Sequence, residues 1–286
     1  MIDEVAFAFG APGTELVGVL ARPANPATEK GLALVVVVGG PQTRVGSHRQ
    51  FVLLTRAAAA EGYPSLRFDY TGMGDSPGPK PDFEAAGQDI RRACDALQER
   101  VPACRRFVLW GLCDGASAAL LYAASDPRIV AVVAANPWAR SEATRSAVIV
   151  TDHYGSRLRS PEFWKKLATG KIDIVASARE ALGHFWRARA SRTGPADGRA
   201  AGLPERLAQA LTNRRAILRF QISGRDLTAA EFELAMKSVG EAVYDPGAAL
   251  RLEQADHTFS DPQAWQAVIE DTKSVLARPR APDRPS

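Results

Sequence analysis

Little in this 286-residue chain supports a metal or disulfide reading. Its three cysteines, Cys94, Cys104 and Cys113, lack zinc-ligand spacing and are too few for a disulfide framework. Histidine is scarce as well, with His48, His153, His184 and His257 carrying all the imidazole chemistry. No apolar run approaches the ~20 residues of a membrane helix. The opening Met1-Ile-Asp-Glu-Val lacks the basic start and apolar core of a secretory signal, so a cytoplasmic protein without a membrane span is expected. Thr71-Gly-Met-Gly-Asp-Ser76 lacks the lysine of a phosphate-binding loop and reads as a structural turn. No cofactor and no metal are expected.

Net charge is small in total, and its positive share is concentrated in place. The net charge is +4, yet residues 140–219 hold sixteen Lys/Arg against seven Asp/Glu, leaving the remainder acidic. No nucleic-acid module or regular aromatic interleaving accompanies these basic residues, so no nucleic-acid partner is expected. A solvated arginine-rich helical segment and a positive rim that steers an anionic substrate both fit.

Along the chain, Val5–Phe9 and Leu16–Leu20 flank turn signals and predict an antiparallel hairpin at one edge of a sheet. Leu32–Val38 is an unbroken apolar run, as in a strand buried on both faces. From there, predicted helices over 49–61 and 82–100 alternate with strands over 66–70, 107–110 and 129–133. That alternation predicts a parallel sheet with helices on both faces. It stops at Trp138 and resumes near 212 with strands over 216–222 and 249–253 and helices over 229–239 and 262–276. The expected organisation is a core of residues 1–137 and 212–277, an inserted helical cap over 138–211 and a flexible tail over 278–286. Within the cap, 160–167 and 176–189 are helix-like, and 191–198 is loop-like.

The chemistry centres on Phe107-Val-Leu-Trp-Gly-Leu-Cys-Asp-Gly115, where a strand breaks into a small-residue helix. In Gly111-x-Cys113-x-Gly115 the glycines permit close approach of strand and helix, and the middle residue sits on a sharp turn that presents a nucleophile. A thiol nucleophile needs a base and an acid to orient that base. His257, in Ala255-Asp-His-Thr-Phe259, falls just past a predicted strand at the same sheet end as Cys113. Asp226, in Ser223-Gly-Arg-Asp226, emerges at that end too. Asp256 would point elsewhere on an extended backbone, and Asp245 lies in a turn.

These motifs, with Phe68-Asp-Tyr-Thr-Gly-Met-Gly-Asp-Ser76 and the order Cys113, Asp226, His257, resemble the α/β-hydrolase superfamily over nearly the whole chain. More narrowly, Gly39-Gly-Pro-Gln-Thr-Arg-Val-Gly-Ser-His-Arg-Gln-Phe-Val-Leu-Leu54, Leu66–Ser76 and Gly111-Leu-Cys-Asp114 resemble the exosortase A system-associated hydrolases, bacterial proteins encoded beside exopolysaccharide and protein-sorting genes.

The resemblance implies an oxyanion hole whose first donor is the backbone of Asp114. The second normally comes from the loop after the first long strand, where Pro41 has no N–H, so Gln42, through backbone or side chain, is the substitute. The Asp114 carboxylate beside the thiol opposes its ionisation unless it turns away or is paired. Arg44 and His48 on the same loop, with Trp138 and His153, are candidate substrate-binding residues; a loop salt bridge or helix cap fits Arg44 and His48 equally well.

The implied activity is cleavage of an ester or thioester through an acyl-enzyme on Cys113, with a small-molecule acyl substrate, optionally carried on coenzyme A or a carrier protein. Two alternatives stay open: an acyltransferase delivering to an alcohol or amine, as polyester synthases with the same elbow cysteine do, and a catalytically decayed scaffold. Dienelactone hydrolases, which also carry an elbow cysteine, add lactone opening as a further reading. Oligomeric state is not set by the sequence.

Overall fold

Runs of β-branched and aliphatic residues become the strands of a single twisted sheet. The computed structural model describes residues 1–139, 201–213, 215–240 and 243–278. The strands are β1 (Ile2–Phe9), β2 (Leu16–Pro23), β3 (Leu32–Val37), β4 (Ser65–Phe68), β5 (Arg106–Leu112), β6 (Ile129–Ala135), β7 (Ile217–Ser223) and β8 (Leu250–Leu252). They form an 8-stranded sheet in the order β1-β2-β4-β3-β5-β6-β7-β8. From β4 across to β8 every neighbouring pair is parallel; β2 pairs antiparallel with both β1 and β4. This is the mostly parallel, helix-covered α/β sheet that the alternation predicts, with the expected hairpin at its edge.

Six helices pack on it: α1 (Gln50–Ala60), α2 (Gly87–Arg100), α3 (Asp114–Ala123), α4 (Leu203–Thr212), α5 (Leu227–Val239) and α6 (Pro262–Ala277), counted among the described residues. α1 and α6 pack together against one face, while α2, α3, α4 and α5 follow one another on the other. Covered on both sides, β3 buries every residue, and so it needs no polar face. At the centre, Trp110 of β5 is fully buried between Phe51 and Trp265, with ring centroids 5.8 and 5.9 Å away. Its indole N–H donates to Gln221 Oε1 at 3.0 Å, so the one polar atom of this large side chain is satisfied. Truncating such a residue costs about 3–5 kcal/mol.

The hairpin is held by charge as well as by its ladder. Glu4 on β1 accepts from Arg67 Nη1 of β4 at 2.9 Å and from Arg56 Nη2 of α1 at 2.5 Å. Arg67 is thereby carried into the sheet at 6% exposure with a counter-charge beside it.

Element limits differ from the sequence expectations where a side chain captures the backbone. The helix expected over 82–100 is divided: Asp82 accepts from Glu84 N at 3.0 Å and caps a short 3-10 turn, Phe83–Ala85, before α2 begins at Gly87. The strand expected to reach Tyr70 ends at Phe68, because the buried Asp69 turns to accept from Arg44 N at 2.6 Å and Asp75 N at 3.1 Å. α4 falls inside the span expected to be a cap, yet it buries Leu207 and Leu211 in the common core beside α3. The expected cap helices over 160–167 and 176–189, the loop over 191–198 and the tail beyond 278 lie outside the described residues. Among the described residues no helix is long and apolar enough to cross a membrane, and no cluster of His, Cys, Asp and Glu could hold a metal ion.

Candidate active site

The parallel strands deliver their carboxyl ends to one edge of the sheet, and the candidate residues arrive there on the connections that follow β5, β7 and β8. Cys113 joins β5 to α3 with φ 61° and ψ −127°, a backbone conformation that non-glycine residues seldom adopt. Packing holds it there. Cys113 N donates to Ala135 O at 3.0 Å, and Cys113 O accepts from Ala116 N at 3.1 Å and Trp138 N at 3.1 Å. The flanking glycines are required by space: a Cβ on Gly111 would sit 2.5 Å from Gly115 O, and one on Gly115 would sit 2.5 Å from Val37 O. The thiol stands at the N-terminus of α3, where unpaired N–H groups favour negative charge. Cys113 is partly exposed, whereas Cys94 and Cys104 are buried.

Asp226 is the N-cap of α5, accepting from Thr228 N at 3.1 Å and Ala229 N at 3.2 Å. The same carboxylate reaches across to the loop after β8, where its Oδ2 lies 2.8 Å from His257 Nδ1. With Nδ1–H donated to Asp226, the Nε2 edge of the ring is left for a second partner. The His257 imidazole is pushed up to about 10, first by its hydrogen bond with Asp226 and next by Cys113, against burial, which lowers it. Cys113, Asp226 and His257 thus meet in space. Asp256 instead accepts from Thr258 N at 3.1 Å and Ser260 N at 3.0 Å, and Asp245 caps a turn by accepting from Gly247 N at 2.9 Å.

A buried polar network fixes the histidine loop. Asn136, fully buried at the end of β6 with φ 41°, donates from Nδ2 to His257 O at 2.9 Å and to Ser223 Oγ at 2.8 Å. Its Oδ1 accepts from Ser223 N at 2.8 Å, and Ser223 Oγ donates to Asp256 O at 2.7 Å. The sequence patterns assign neither Asn136 nor Ser223 a role. The signal present was a polar residue closing each of two adjacent apolar strands.

The remaining expected site residues divide. Asp114 turns its side chain toward the loop after β3, where Oδ1 accepts from Gly40 N at 2.5 Å. Burial pushes this carboxyl up, and the N–H groups of Gly40 and Gly115 and the charge on Lys80 pull it back. The Gln42 side chain donates to Ser47 Oγ at 3.1 Å and accepts from Gln50 Nε2 at 3.3 Å, so its amide is committed within the loop. Arg44 forms the loop salt bridge, to Asp69 through Nη1 and to Asp75 through Nη2 at 2.5 Å. His48 is exposed, donating from Nε2 to Thr258 O at 3.0 Å beside His257. Half-buried Trp138 adjoins the elbow through its backbone, its carbonyl accepting from Ser117 Oγ at 2.5 Å. His153 lies outside the described residues.

With fold and site in view, comparison with known proteins gives a consistent picture. Residues 34–271 match the Alpha/beta hydrolase family. No curated protein matches the chain by sequence. Among solved structures, an esterase of Pyrococcus furiosus superposes with TM-score 0.60 at 15% identity, covering 96% of this chain and 90% of its own. A dienelactone hydrolase from Anabaena variabilis gives 0.58 at 15%, covering 96% and 97%. An esterase domain from a Rhodothermus marinus protein gives 0.55 at 19%, covering 96% and 97%. At these identities the likeness is one of fold.

Proposed function

This chain belongs to the alpha/beta hydrolase family, and we propose that it cleaves an ester or thioester through an acyl group carried on Cys113. The observation that carries the reading is the meeting of a strained elbow thiol with an imidazole whose other nitrogen is held 2.8 Å from the Asp226 carboxylate. Sulfur, its proton already resting on His257 Nε2, attacks the acyl carbon, and Asp226 stabilises the imidazolium. The tetrahedral oxyanion takes the N–H of Asp114. For the second donor Pro41 has none, Gly40 N is committed to Asp114 and the Gln42 amide is committed to Ser47, which leaves the Gln42 backbone N–H for this role. Collapse expels the alcohol or thiol, which takes the proton from Nε2. Water then gives a proton to Nε2, attacks the thioester carbon, and the acid leaves as the thiol is restored.

The basic balance of residues 140–219 supports an acyl group on an anionic carrier, coenzyme A or a carrier protein, as the substrate class. Turnover of such thioesters should then fall as ionic strength rises. The motifs around Gly39 and Leu66 support a role in a bacterial exopolysaccharide or exosortase system. The deciding experiment is intact-mass analysis after exposure to a panel of activated esters and thioesters. An acyl adduct present in the wild type and absent in Cys113→Ala is expected; a panel giving neither adduct nor Cys113-dependent turnover rejects the reading.

A further inference from the structure

Among the described residues, five that are not glycine hold a left-handed backbone: His48 at φ 39°, Arg49 at 63°, Cys113 at 61°, Asn136 at 41° and Phe259 at 52°. Such conformations cost energy and persist only where the surroundings impose them, most often at functional sites. Cys113 is the elbow, Asn136 donates to the carbonyl of His257, and Phe259 lies two residues beyond that histidine. The remaining pair, His48 and Arg49, sits on the connection between β3 and α1, which also carries Gln42.

Three successive carbonyls of the histidine loop each accept from a side chain. Asp256 O takes Ser223 Oγ at 2.7 Å, His257 O takes Asn136 Nδ2 at 2.9 Å, and Thr258 O takes His48 Nε2 at 3.0 Å. Ser223 ends β7 and Asn136 follows β6, so the first two bonds come from strands between β5 and β8. The third comes from the opposite side of β5, where β3 lies. Beside His48, Ser47 Oγ accepts from Gln42 Nε2 at 3.1 Å, so the bond to Thr258 ties the histidine loop to the loop of Gln42. The His48 ring stands edge-on to Trp265, with centroids 6.2 Å apart and planes at 80°. Trp265 is itself fixed in the core against Trp110 and Phe259. A carbonyl only accepts, so His48 Nε2 carries a hydrogen, and the neutral Nε2–H tautomer and the imidazolium both supply one.

We infer that His48 is a positioning residue: by holding Thr258 O it fixes the His257 ring relative to Cys113 and to the Gln42 backbone N–H. The left-handed turn at His48 and Arg49 is retained because it aims the imidazole at that carbonyl. The consequence for turnover rests on the acyl-transfer reading of Cys113, whereas the consequence for the Cys113–His257 pair is read without any acyl group.

The test compares the full wild-type chain with His48→Phe, which keeps a ring against Trp265 and removes the donor, and with His48→Gln, which keeps an N–H donor without the ring. The side chain is exposed, so both variants should fold, and thermal melts check this. With p-nitrophenyl butyrate, His48→Phe should lower kcat about tenfold and leave KM within about twofold, and His48→Gln should recover most of the loss. Alkylation of Cys113 by iodoacetamide at neutral pH, followed by mass, reads the thiolate–imidazolium pair directly. It should be about fivefold slower in His48→Phe and near the wild-type rate in His48→Gln. If the wild type turns over no ester, the acyl-transfer reading fails by itself and the alkylation rates alone decide the role of His48. Equal alkylation in the three proteins, a loss in His48→Gln as large as in His48→Phe, or a change confined to KM overturns the inference.

Discussion

Gly40 gives its backbone N–H to the side chain of Asp114 at 2.5 Å, so the residue after Cys113 is the anchor of the loop facing it. Asp114→Asn keeps a carbonyl oxygen for Gly40, and Asp114→Ala does not. The expected outcome is a kcat within about threefold of wild type for the amide and at least about tenfold lower for alanine, with alanine losing about 1.5–3 kcal/mol of stability. Steady-state kinetics on an activated ester and urea melts check both.

Cys94 and Cys104 are fully buried, and burial pushes both thiols up, Cys104 to about 12. Iodoacetamide at neutral pH should therefore modify one thiol in the folded protein, Cys113, and all three after unfolding in guanidinium. Peptide mass mapping reads the site; a second labelled cysteine in the native state contradicts the packing described.

His257 is raised from 6.5 to about 10 in the folded protein, with Asp226 the larger cause and Cys113 the next. A group bound more tightly to its proton when folded stabilises fully below its unfolded value. That contribution is therefore present below pH 6.5 and is lost as pH rises through about 10. Urea midpoints should fall across this window in the wild type and fall less in Asp226→Asn. By NMR titration, Asp226→Asn should lower the His257 value more than Cys113→Ala does.

Asn136 spends its side chain on His257 O and Ser223, inside the protein and at a positive φ. Asn136→Ala leaves Ser223 N and His257 O short of a partner, and it should cost about 2–4 kcal/mol and lower kcat more than it changes KM. Asn136→Gly, which relieves the backbone but also lacks the amide, should not restore kcat. Thermal melts and kinetics of the two variants separate strain from positioning.

Local patterns carried much of this molecule. Leu32–Val38 is legible as a central strand because a strand covered on both faces has no polar side to disguise it. The elbow is legible because its requirement, glycine on either side of Cys113, is confined to five residues. Asp226 and His257 follow from their strands, since a parallel sheet gathers carboxyl ends. What escaped depends on residues remote in the chain. The fate of Arg44 is set by Asp69, 25 residues on, and that of His48 by Thr258, 210 residues on. The union of Asn136 with Ser223 needs β6 and β7 to be neighbours, and no spacing within either strand announces that. The direction taken by the Asp114 side chain, which decides whether it faces the thiol or the loop, was open for the same reason.

The chain order of the site has a temporal side. Cys113 follows β5, while Asp226 and His257 follow β7 and β8. At roughly 5–20 residues per second, a ribosome needs on the order of ten seconds to travel from Cys113 to His257. Throughout that interval the nascent thiol has no His257 imidazole beside it. The acylation proposed for Cys113 thus waits for the last quarter of the polypeptide, which carries Asp226 and His257.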